Sequence, residues 1–123
     1  MRDERLDSVA AAVIRKTLDS LPQTLREAAA ACVIEPVFMA DCLAFEEGLE
    51  DDLLGLFEGC SLADHQPDAP DQLPRIRLFL DNLWDYAEGR ADVFRDEVRL
   101  TLLHELGHYF GFDEDQVAER GLA

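Results

Sequence analysis

The stretch ADVFRDEVRLTLLHELGHYFGFDED, residues 91–115, decides how this chain is read. Residues 91–110 have the pattern of one helix, with Val98, Leu100, Leu102, Leu103 and Leu106 around much of its circumference, so burial on several sides is expected. His104 and His108 are four residues apart, which at helical pitch sets both imidazoles on one face, one turn from each other, where both can bind one metal ion. Glu105 reaches the same edge. Its carboxylate can take a proton from water activated by that metal, the general-base role in metal-assisted hydrolysis. A bare HExxH also arises in helices that bind nothing. Here its polar side chains sit on a helix expected to be buried on several sides, where they would be costly without a partner, and a metal supplies one. Gly111, three residues past His108, suits the left-handed end of a helix, so the chain can double back with a further ligand; Asp113, Glu114 and Asp115 are the candidates.

Working outward, the 123 residues, 48% hydrophobic, suffice for one domain with a sizeable core, spanning 1–123, and leave no room for a second lobe. No apolar run is long enough for a membrane span and no secretory leader is evident, so a cytoplasmic protein is expected. Cys32, Cys42 and Cys60 are widely spaced, with no CxxC pair, and are read as buried or free thiols. The net charge is -16, and positions 37 to 74 enclose ten carboxylates and no Lys or Arg, which disfavours nucleic acid as a partner. The acidic run is a solvated face, an adaptation to a salty interior, or a preference for basic peptides or a basic partner.

Residues 3–21 and 23–30 read as helices separated by Pro22, and residues 31–37 as a short strand whose Pro36 suits an edge or a strand end. Residues 38–52 read as a turn of helix and a loop, 53–57 as a strand, and 61–74 as a proline-rich loop carrying His65. In residues 75–80, Ile76, Leu78 and Leu80 face one way, with Arg75, Arg77 and Phe79 the other. Asp81 and Asn82 then open a helix through Trp84 and Tyr86 that breaks at Gly89. The order predicts an α+β domain in which a small mixed or antiparallel sheet packs on the HExxH helix, with flanking helices.

The segment from Phe94 through the HExxH motif to Asp115, ending in Glu119-Arg120-Gly121-Leu122, resembles the C-terminal half of the small bacterial zincin-like metallopeptidases. Residues 53–59 and 73–79 resemble that family's pair of strands, so the likeness covers about the last seventy residues, and the N-terminal third fits in outline. The resemblance implies a minimal zincin fold and a metal site, expected to hold Zn2+, but no substrate. The peptide or protein substrate expected from the hydrolase motif would be held as zincins in general hold it, against an edge strand, and either 53–57 or 75–80 fits that role. Carried over, His104 and His108 are metal ligands and Glu105 is the catalytic base. In the layout HExxHxxGxxH/D the last position falls on Glu114, favoured as third ligand, with Asp113 and Asp115 as alternative ligands or helix caps and Glu119 as a more remote one. Glu97 and Thr101 are placed to orient a ligand imidazole, while His65, Tyr86 and Tyr109 are candidate transition-state donors, for which packing or exposure is the plainer role. The expected function is a zinc-dependent peptidase. The alternative is a zinc-binding zincin-like domain without peptidase activity, acting as an acidic interaction module.

Overall fold

Strand β3, Arg75–Phe79, is the axis of the computed structural model, which describes residues 4–62, 73–112 and 114–119. It pairs in parallel with β1, Val33–Val37, and antiparallel with β2, Gly55–Glu58, giving a mixed sheet of order β1-β3-β2. Around it lie helices α1 (Glu4–Asp19), α2 (Gln23–Ala29), α3 (Met39–Leu43), α4 (Leu80–Tyr86), α5 (Ala91–Phe110) and α6 (Glu114–Glu119). The α+β architecture anticipated from the element order is the one found. Pro36, which lacks an N–H for a ladder, sits as expected on the edge strand β1. Residues 75–80 split differently from the reading: Leu80 leaves the strand to begin α4.

Helix α5 packs against β2 and β3, with α1 and α4 beside it. Ile76 and Leu78 of β3 and Val98, Leu102 and Leu106 of α5 are fully buried between these layers, and Leu6 and Ala10 of α1 join the same core. Burying each such aliphatic side chain stabilises the fold by roughly 1.5–3 kcal/mol, enough to hold a helix with two half-buried histidines against the sheet. Trp84 and Phe94 meet edge to face at 5.6 Å; Phe94 is a core residue, as expected, and Trp84 packs half-buried against the core.

The other face of β3 departs from simple alternation, because Arg77 and Phe79 are also buried. The guanidinium of Arg77 lies 5.6 Å from the centre of the Phe79 ring, and it donates to Glu58 Oε1 at 2.7 Å and to Glu46 Oε2. The segment that follows α3 is thereby fastened over the sheet. A buried cation is tolerable here because two carboxylates meet its fork. Residues farther along the same segment are held by α4. The carboxylate of Asp81 accepts from Met39 N–H and Ala40 N–H at 2.7 and 3.0 Å, capping α3 from a distance, and Asn82 Nδ2 donates to the carbonyls of Asp51 and Leu53. Together these contacts set where β2 begins.

The hydrogen bond from Arg77 holds the carboxyl of Glu46 below its ordinary value of 4.5. Its contribution is therefore complete above about pH 4.5 and is lost as pH falls through the lowered value. Glu46→Gln should cost about 1–2 kcal/mol near neutral pH, the figure reduced for the exposure of Glu46, and the gap between variant and wild type should shrink in acid. Urea denaturation near pH 7 and near pH 3 checks this; an equal gap at both would contradict it.

Candidate metal centre and cleft

Helical pitch converges the two imidazoles of α5. Nε2 of His104 and Nε2 of His108 are 3.1 Å apart, with the rings nearly perpendicular at 85°. The carboxylate of Glu105 completes a group whose ligand atoms all lie within 4.8 Å of one another, and all three side chains are half-buried. Two nitrogens on one tetrahedral zinc, each at about 2.0–2.1 Å, stand roughly 3.3 Å from each other, so the observed pair fits a shared ion with little adjustment.

Glu105 also meets the sheet. Its Oε1 accepts from the N–H of Phe57 at 3.1 Å. Phe79 N–H donates to Leu54 O, and by the alternation of an antiparallel ladder Gly55 and Phe57 turn their backbone groups away from β3. Among the described residues, the open edge nearest the histidines thus belongs to β2. Of the two strands left open as a substrate edge, residues 75–80 are excluded, since β3 is central and paired on both sides.

Gly55 makes this approach possible. A Cβ built there would lie 2.6 Å from Thr101 Cγ2 and 3.3 Å from Glu105 Cγ, distances that a real side chain does not occupy without displacement. A glycine inside a strand is the one sequence signal that marks such an approach. Thr101, expected beside an imidazole, presents its methyl to this glycine. Leu54 and Gly55 from β2 and Leu100, Thr101, His104 and Glu105 from α5 line a cleft of about 280 Å³. Leu54 and Gly55 belong to the stretch 53–57 expected as a substrate edge, whereas the only sequence signal of Leu100 is its apolar place on the helix.

Past His108 the helix ends as anticipated. Gly111 is left-handed (φ 84°), and Phe112 N–H donates to Gly107 O while Gly111 N–H donates to His108 O, the paired bonds of a Schellman motif. Glu114 then opens α6. The side chain of Glu114 lies outside the described residues, as do Asp113 and His65, while Asp115 and Glu119 are exposed on α6. Tyr109 is a packing residue: its hydroxyl donates to Ala28 O at 3.1 Å, and burial raises its phenol above 10. Its carbonyl accepts from Leu62 N–H, fastening the residues after β2 to the end of α5. Tyr86 ends α4 with its ring exposed. Glu97 is half-buried on α5, about one turn before Thr101.

An HExxH helix whose glutamate faces the open edge of a small mixed sheet is the arrangement of a zincin. The chain belongs to the zincin-like metallopeptidase family, whose model matches residues 28–122, more than three quarters of its length. The match reaches well upstream of the seventy residues that carry the resemblance and takes in β1. No curated protein matches the chain significantly. The family implies a metal, usually zinc, and the histidine pair suits one.

The contact at Gly55 gives a double-mutant test. Gly55→Ala should destabilise by about 1–3 kcal/mol through overpacking, and Thr101→Ser, which removes the opposing methyl, should recover most of that loss. Thermal denaturation of the four proteins in the cycle measures the coupling; additive losses would contradict the contact.

Proposed function

We propose that this chain is a zinc-dependent peptidase, on the strength of one observation above the rest: the paired Nε2 atoms of His104 and His108 converge at 3.1 Å beside a glutamate that faces the free edge of β2. His104 and His108 would hold the ion through Nε2, with Glu114, at the final position of the motif, as third ligand. When bound, zinc supplies Lewis acidity, easing loss of a proton from water and drawing electron density from the scissile carbonyl.

The remaining steps belong to the protein. An extended peptide lies along β2 and pairs with the outward backbone groups of Gly55 and with the carbonyl of Phe57, whose N–H is held by Glu105; this sets its scissile carbonyl over the histidines. Glu105 takes a proton from the attacking water as the water oxygen bonds to the carbonyl carbon. It returns that proton to the amide nitrogen as the C–N bond breaks, releasing a carboxylic acid and an amine. The Phe57 N–H orients the carboxylate of Glu105 toward this edge before substrate arrives. Peptides or proteins are the substrates, and nucleic acid is not, given the net charge of -16. The free thiols of Cys32, Cys42 and Cys60 suit the cytoplasm.

A second reading is a zinc-binding interaction module without peptidase activity. It is favoured by the exposed carboxylates of Glu47, Glu50, Asp51 and Asp52 on the segment leading into β2. Basic partners captured by that segment would be released as salt rises.

Glu105→Gln separates the two. Peptide hydrolysis by the zinc-loaded protein should fall at least 100-fold while zinc content stays at the wild-type level, the usual scale for losing a general acid–base. Hydrolysis unchanged in the variant would contradict the assignment of Glu105, and none in the wild type across a broad peptide library would favour the module.

A further inference from the structure

Of the seven phenylalanines in the chain, six are buried or half-buried and one, Phe45, is 90% exposed. An aromatic ring left in water forgoes one of the largest apolar burials that a side chain offers, and Leu43 and Ala44 beside it are exposed as well. The ring is nonetheless held in one place. Residues 39–53 form a loop pinned at both ends by adjacent residues of α4: Asp81 accepts from the N–H groups of Met39 and Ala40, and Asn82 donates to the carbonyls of Asp51 and Leu53. Inside the loop, the N–H groups of Phe45 and Glu46 both donate to Cys42 O at 3.0 Å, and buried Arg77 binds the carboxylate of Glu46. A side chain presented on so fixed a backbone loses little further freedom when a partner covers it. The surroundings carry one sign of charge. Asp41, Glu47, Glu50, Asp51 and Asp52 are exposed on the same loop, and no Lys or Arg occurs between Val37 and Pro74.

We propose that this loop docks a cationic segment of a partner protein, whose apolar side chain covers Phe45 and Leu43 while its lysines and arginines meet the surrounding carboxylates. Charge selects this occupant. A second copy of a chain with a net charge of -16 would bring carboxylate against carboxylate, and nucleic acid or an anionic lipid surface is repelled in the same way. A purely polar cation would leave the ring in water, so the segment is apolar as well as basic. This differs from capture by charge alone, which needs no aromatic side chain. It involves neither histidine of α5 and no turnover, and so it stands apart from the peptidase reading.

The test is a selection of phage-displayed random peptides on the full-length, zinc-loaded protein, with counter-selection against Phe45→Ser. The variant should melt with the wild type, because so exposed a ring adds little to the fold. Zinc and any hydrolysis are common to both proteins and do not enter the comparison. The surviving peptides should combine Lys or Arg with a large apolar residue. Made synthetically, they should bind the wild type about 10-fold or more tighter than Phe45→Ser by fluorescence anisotropy, the scale for losing an interface anchor, and more weakly as salt rises. Replacing the apolar residue of such a peptide with serine should abolish its preference for the wild type. No peptide surviving counter-selection, survivors without basic residues, or equal binding to both proteins would overturn the docking surface, and each would leave the peptidase reading intact.

Discussion

Everything at the candidate site depends on the closeness of one strand to one helix. Gly55 lets β2 come against α5 so tightly that a single methyl group would collide with Thr101. From that approach follow the reach of Glu105 to the Phe57 N–H, the position of the sheet's open edge beside the histidines, and the wall that Leu54 contributes to the cleft. The contacts that place β2 lie on the far side of the sheet and in α4: Arg77 binds Glu46 and Glu58, and Asn82 holds the carbonyls of Asp51 and Leu53. A core packed to near-crystalline density transmits such restraints with little give.

The helix that carries the chemistry was readable because its signals are local. Its apolar spacing, the i, i+4 histidines and the glycine at its end each act within a turn or two, and α5 spans the expected residues 91–110 and ends in the expected left-handed Gly111. What the sequence hid was long-range. Alternation in residues 75–80 put Ile76 and Leu78 on one face and Arg77 and Phe79 on the other, but it could not show that the second face is buried too, with Arg77 bound by a carboxylate thirty-one residues away. Strand order is likewise a pairing between distant segments, so the sequence left two strands equal as edges and the sheet decides for β2. Gly55 carried a signal, a glycine in an apolar run, but the partner it meets lies forty-six residues on, and no local rule names it.

The acidity of the chain divides once the fold is known. Glu46 and Glu58 neutralise a buried arginine, Asp81 caps a helix, and Glu105 accepts from a strand amide, so these carboxylates have local structural partners. Glu47, Glu50, Asp51 and Asp52 are exposed on the approach to β2. Their negative field is weakened by salt.

The central claim is that His104 and His108 share one metal ion, and the most direct measurement is the metal content of protein purified without a chelator or a histidine tag. The account predicts about one zinc per chain in the wild type. It predicts loss of that zinc in both His104→Ala and His108→Ala with the fold retained by circular dichroism, and weakened retention in Glu114→Ala. No zinc in the wild type and no uptake of added zinc, or full zinc content in both histidine variants, would contradict it.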